Sequence, residues 1–313
     1  MQGHPSKLCV KISFERFYLV NPMLIFLTII HNLAQPYWDT LKKYLAKEDI
    51  SSLTIIHSPN LIGHPIGIVI LLASGLFIIP VDIHFYLFWF GMITIAAISL
   101  TLHIWGLVES KFFAVQILSK LGFVVSSVAA VLVIGEDLTK LQINALILGV
   151  IGISFFAWPQ QLSRSSLVWD RGVIFVIISV ILSGFAAVFY KMATFYTPDY
   201  ATFLSGRFVG DMIGWSFIWI VISIVLLKRN PFNELIRCVK NKSGLILIVG
   251  TAASTLLSSW LIYQLPVTTF VMLGTLTIPA AYLFSRFKYK ENMTPRMWIG
   301  TIFIIGSVGL FIL

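Results

Sequence analysis

Lys120 lies ten residues into an apolar stretch, Ser110–Ile134, with no acidic residue one turn away on either side. A charge at the centre of a bilayer costs at least about 2.5–3.5 kcal/mol, so an ammonium kept there points to a task. The chemistry that suits it is holding an anionic group. Gln116 stands one turn earlier and shares that face. Arg207 and Asp211 sit four residues apart in a second apolar stretch. At that spacing they share a helix face and can pair. Two readings follow: Arg207 joins Lys120 in binding an anion, or the two form a structural charge pair. His31 and Asn32 fall in the first apolar stretch, His57, Asn60 and His64 in the second, and His103 in the third. The set at 57, 60 and 64 lies on one helical face, interrupted by Pro59 and Pro65, which kink a helix and free carbonyls toward a cavity. A histidine titrates near neutral pH and can carry a coupling proton. Each one also reads as a satisfied polar residue inside a helix bundle. Tyr263 closes the eighth stretch beside Trp260 and Gln264, as a substrate contact or an interfacial anchor. No carboxylate or thiolate accompanies the histidines, so no metal site is expected. No nucleotide-binding loop is found, and no cofactor is implied.

These residues need elements to position them, and composition says which. Hydrophobic residues make up 58% of the 313, charged ones 11%, and mean hydropathy is +0.92. A soluble domain carries about 25% charged residues, so this surface belongs in lipid. Long continuous apolar runs call for helices, which satisfy their own backbone in hydrocarbon. Ten spans are predicted: Phe17–Trp38, Ser52–Ile79, Phe85–Leu107, Ser110–Ile134, Leu141–Pro159, Gly172–Phe195, Tyr200–Leu227, Ser243–Gln264, Pro266–Phe287 and Met297–Leu313. The basic leader before the first run resembles a signal peptide, but no small-x-small cleavage site follows, so the run is expected to be retained. The formal charge of +9 reflects basic loops rather than nucleic-acid binding. Cys9 and Cys238 fall on opposite sides in this layout and cannot pair.

The layout repeats. Glu136-Asp137-Leu138-Thr139 precedes the fifth span and Glu291-Asn292-Met293-Thr294 the tenth. Residues 1–159 and 172–313 thus read as two five-helix units joined by 160–171, and an odd number of spans per unit inverts one against the other. The expected fold is all-α integral membrane, ten transmembrane helices as two inverted five-helix repeats. Thr139 is expected to cap the fifth span and Thr294, followed by Pro295, to cap the tenth. The small-residue faces Gly122, Ser126, Ala130 and Gly250, Ser254, Ser258 read as helix packing.

The segment Gly135-Glu136-Asp137-Leu138-Thr139-Lys140-Leu141-Gln142, with Gly149 and Gly152 and later Gly300, Gly306 and Gly309, resembles the EamA-type transporters of the drug/metabolite transporter superfamily. The second turn departs from the pattern, with Lys290 where Gly135 stands in the first, and Ala145 replaces a frequent glycine. The resemblance implies a carrier working by alternating access, eight helices around a central cavity and two peripheral, in a cell membrane (the inner one of a Gram-negative cell). The expected partners are the lipid bilayer, a small anionic or zwitterionic substrate and a coupling proton. Multidrug efflux of lipophilic cations is the alternative, and a membrane-embedded enzyme a remote one. Loop charges and the family expectation disagree on which side the termini face, fifteen basic residues against four favouring termini outside.

Overall fold

Every regular element among the described residues of the computed structural model is helical; these residues are 21–110, 115, 118–157, 171–289 and 294–313. In chain order they are α1 (Pro22–Lys47), α2 (Ser52–Ala73), α3 (Ile83–Glu109), α4 (Gly122–Ala129), α5 (Lys140–Ala157), α6 (Arg171–Thr194), α7 (Tyr200–Val221), α8 (Pro231–Lys240), α9 (Lys242–Gln264), α10 (Val267–Leu273), α11 (Thr277–Tyr289) and α12 (Pro295–Ile312). A tight turn at Gly274–Leu276 joins α10 to α11, and wider π-turns end α4 and α7.

The protein is an all-α, multi-pass membrane protein, consistent with residence in a cell membrane. The expectation of ten transmembrane helices in two inverted repeats is not met. Among the described residues seven helices are long and apolar enough to cross a bilayer, within Ser52–Ala73, Ile83–Glu109, Arg171–Thr194, Tyr200–Val225, Lys242–Gln264, Val267–Phe284 and Pro295–Ile312. The physical reasons for the shortfall are local. His31, Asn32, Gln35 and Asp39 make α1 too polar. Leu118–Ile134 and Lys140–Phe155 are apolar helices that adjoin residues outside the described set, so only part of each expected span is described.

Among the described residues five hydrophobic clusters hold the bundle, and three are the largest. Phe123, Ile153, Met272, Tyr282 and Ile304 join α4, α5, α10, α11 and α12. Phe85, Trp89, Tyr190, Phe203 and Trp215 join α3, α6 and α7. Leu41, Leu45, Ile55, Ile104, Cys238 and Leu247 join α1, α2, α3, α8 and α9. The most extensive helix pairs are α3 with α6 and α5 with α12.

Helix ends are satisfied by specific side chains, as hydrocarbon demands. Thr139 and Gln142 exchange a reciprocal cap: the Gln142 N–H donates to Thr139 Oγ1 at 3.2 Å and the Thr139 N–H to Gln142 Oε1 at 3.1 Å. Thr294 differs from expectation. It occupies the cap position of α12 with Pro295 behind it, but its hydroxyl makes no capping bond. The buried carboxylate of Glu136 reaches across the fold to the start of α10. It accepts from the Val267 N–H at 2.8 Å, the Thr268 N–H at 3.1 Å and the Thr268 hydroxyl at 2.9 Å. At the other side of the same hairpin, Lys191 donates to the Ile262, Tyr263 and Leu265 carbonyls at 2.9, 3.1 and 3.0 Å. Anion at a helix N-terminus and cation at a C-terminus both complement the helix dipole. Gly135, at φ 78°, makes the left-handed turn that aims Glu136 inward.

Candidate functional site

Between α1 and α9 lies a cavity of about 250 Å³. α1 contributes His31, Gln35, Trp38 and Lys42, and α9 contributes Thr251, Ser254, Thr255, Ser258 and Ile262, with Phe270 of α10 closing one end. The spacing on α1 (31, 35, 38, 42) is one helical stripe, and 251, 254/255, 258 and 262 form its counterpart on α9. Gly250 makes the approach possible: a Cβ there would collide with the Trp38 ring. A stripe read from the sequence as packing therefore does two jobs. Gly250 seats the indole, while Ser254 and Ser258 put hydroxyls on the cavity wall.

His31 is fixed from both ring nitrogens. Ser254 Oγ lies 3.0 Å from Nδ1 and the Gln35 amide nitrogen 3.3 Å from Nε2. With Gln35 donating to Nε2, the neutral ring carries its proton on Nδ1 and donates it to Ser254. Lys42 donates to Asp39 at 2.9 Å, and His103 Nε2 stands 3.6 Å from the second Asp39 oxygen. Lys120 is half-buried and within electrostatic reach of Asp39, Lys42 and His31. α9 and α10 carry no acidic residue. Lys42 pairs with Asp39 and Lys120 lies within electrostatic reach of the same carboxylate, so among the described residues two ammonium groups stand against one acid at this end of the cavity. Two further polar atoms of the lining, Trp38 Nε1 and Thr251 Oγ1, are shielded from solvent and have no hydrogen-bond partner. Such atoms cost about 1–3 kcal/mol when left unmet.

A second polar cluster lies behind α9. Asp211 accepts from His64 Nε2 at 2.7 Å, Trp89 Nε1 at 3.1 Å and Arg207 Nε at 3.4 Å. The Arg207 guanidinium also donates to the Tyr190 hydroxyl at 2.7 Å and the Thr255 carbonyl at 3.3 Å. It sits over the rings of Trp89 and Tyr190, 5.8 and 5.4 Å from their centroids. This cluster is paired internally and closed by aromatic rings.

The candidates read from the sequence are therefore divided. His31 lines the α1–α9 cavity, with Lys120 and His103 gathered around Asp39 beside it. His64, Arg207 and Asp211 form the closed cluster, so Arg207 and Lys120 do not face a common cavity; the Thr255 backbone stands between Arg207 and the lining. His57 turns to α7, with Nε2 3.2 Å from Ser216 Oγ and its ring against Trp215 and Trp219. The polar face of α2 thus packs on α7. Asn60 is half-buried on α2. Tyr263 packs in an aromatic group with Tyr200 and Phe203. Gln116 lies outside the described residues. Gln35, Trp38, Asp39, Lys42, Thr251 and Thr255 were missed, although the polar run His31-Asn32…Gln35…Asp39 at helical spacing was a signal available in the sequence.

No group of three or more potential metal ligands occurs among the described residues. No family model matches the chain. No curated protein matches it. The backbone is similar to a solved structure described only as "Crystal structure of protein", with TM-score 0.60 and 10% sequence identity, covering 92% of this chain and 96% of that one. That likeness shows a shared fold, and 28 solved chains match in all, so the arrangement recurs.

Proposed function

We propose that the protein is a secondary transporter that carries a small anionic or zwitterionic metabolite by alternating access, without ATP hydrolysis, and that the α1–α9 cavity is its binding site. The observation that supports this most is the charge balance: Lys42 and Lys120 against one shared carboxylate, beside unmet donors on Trp38 and Thr251. An anion entering there relieves the excess of positive charge, and a small turn of the Trp38 or Thr251 side chain would let it meet a stranded donor as well. The EamA-like turn at Gly135–Gln142 supports a carrier of that superfamily. His31 is the candidate for a coupling proton, because it lies in the lining and would take up a proton on Nε2 once Gln35 turns away. The proposal includes no enzymatic step.

The test is a thermal-shift screen of purified protein against small carboxylates, phosphates, amino acids and organic cations, followed by counterflow in proteoliposomes. A stabilising anion whose uptake falls in both K42A and K120A supports the proposal. Uptake that is indifferent to both substitutions overturns the assignment of the site.

One observation favours efflux of lipophilic cations instead. A second cavity, of about 590 Å³, is lined by Ile98, Leu102, Trp105 and Ile218, with Asp49, Glu109 and Arg229 at its polar end. Cationic dyes exported in a Glu109-dependent manner would support that reading.

A further inference from the structure

The short helix α8 is forced to the membrane surface. It follows the π-turn that ends α7 at Leu226 by a short link and runs into α9 through Asn241, and both neighbours are long and apolar enough to cross a membrane. Nine of the ten residues of Pro231-Phe232-Asn233-Glu234-Leu235-Ile236-Arg237-Cys238-Val239-Lys240 fall into three stripes, with Leu235 half-buried between them. Pro231, Glu234 and Cys238 are buried against the bundle. Phe232, Ile236 and Val239 form a second stripe and are 55%, 50% and 36% exposed. Asn233, Arg237 and Lys240 form a third, all exposed.

The docked stripe is firmly tied. Glu234 accepts from the Ser51 hydroxyl, from Thr54 Oγ1 at 2.8 Å and from Arg229 at 3.0 Å. Thr54 in turn accepts from Trp219 Nε1 at 3.0 Å, and Phe232 sets its edge on that indole, 5.4 Å between centroids. The helix therefore cannot roll to hide its apolar stripe. A helix with one apolar and one basic stripe, held at the end of two membrane spans, has the composition of an interfacial helix.

We propose that α8 lies in the bilayer interface, with Phe232, Ile236 and Val239 among the upper acyl chains and Arg237, Lys240 and Lys242 holding the headgroups of anionic phospholipids. Charge complementarity selects the occupant. The exposed charges of α8 and its C-terminal junction are all basic, because its single acid, Glu234, is turned inward. Arg237 is already braced by a 2.8 Å bond to the Glu48 carbonyl, which fixes its reach over the surface.

The experiment uses full-length protein in nanodiscs of phosphatidylcholine with and without phosphatidylglycerol. Native mass spectrometry counts the phosphatidylglycerol molecules retained. The K240Q/K242Q variant, which leaves the Arg237 brace intact, is expected to lower that affinity roughly fivefold for each cation removed. The loss should shrink at high salt. Equal retention by variant and wild type overturns the headgroup assignment. A nitroxide placed at I236C is expected to be more accessible to oxygen than to a water-soluble relaxation agent. The reverse order, or a wild-type dimer converted to monomer by I236S, overturns the interfacial placement, because the stripe would then face water or a second copy.

Discussion

Two buried polar regions stand on opposite sides of α9, and they differ in one respect. Around Asp211 each formal charge has a close opposite partner, the remaining donors are met by Trp89, Tyr190 and a carbonyl, and aromatic rings close the outside. Around His31 and Lys42 the charges do not balance, and Trp38 and Thr251 keep polar atoms unmet. Both regions carry a basic residue withdrawn from the surface, Arg207 buried and Lys42 and Lys120 half-buried. Burial of charge therefore does not by itself mark a binding site. What separates the two is whether the protein satisfies its own groups: a closed network specifies packing, while an open one awaits a partner.

The largest way to break this contrast is at Asp211. Asp211→Ala strands Arg207 without its carboxylate and is expected to cost about 3–5 kcal/mol. Denaturation of the purified protein in detergent measures it, and the double variant with Arg207→Met should recover part of the loss. If Asp211→Ala is as stable as wild type, the closed cluster is not a structural unit. Next comes Glu136→Ala, which uncovers the Val267 and Thr268 N–H groups and should cost about 2–3 kcal/mol. Its effect belongs to stability, with binding at the cavity changed little.

The open region should behave the other way. Lys42→Ala is expected to weaken binding of an anion about tenfold or more, as loss of a charged hydrogen bond does, with the protein folded at normal temperature. Trp38→Phe removes the unmet indole N–H, so stability should change by no more than about 1 kcal/mol while anion affinity falls measurably by calorimetry. Unchanged affinity would place the ligand away from the indole. The smallest effect is at Cys238, on α8. Burial raises its thiol pKa, against a weaker opposing effect of Ser58. The folded state holds that proton above the ordinary thiol value, so this contribution to stability is full below about pH 8.5 and declines as pH rises past it. Maleimide labelling of native protein at pH 8 should accordingly be slow, and fast after unfolding.

Much of the helical layout is legible in the sequence. The apolar runs fixed the helices because hydrocarbon leaves the backbone no alternative. α2, α3, α6, α7 and α9 lie close to the segments drawn from hydropathy, and the Thr139 cap was readable from its spacing to Gln142. Span counting failed where polarity and length oppose each other. α1 forms a helix of 26 residues, yet its polar stripe removes it from the set that crosses by composition. Two residues of that stripe, His31 and Gln35, line the cavity.

The sequence by itself determined that this chain lives in a membrane as helices, because its composition leaves no soluble surface. It also named the residues too polar for lipid. Only the tertiary structure decided what those residues do. Arg207 and Asp211 were neighbours on one helix from the start, but that His64, Trp89 and Tyr190 close around them depends on α2, α3 and α6 arriving at the same place. Lys120 and Lys42 are 78 residues apart in the chain, and their meeting over Asp39 is a matter of packing. Spacing along a helix is short-range and written in the sequence, whereas charge balance in a cavity is a sum over several helices and exists only once they have assembled.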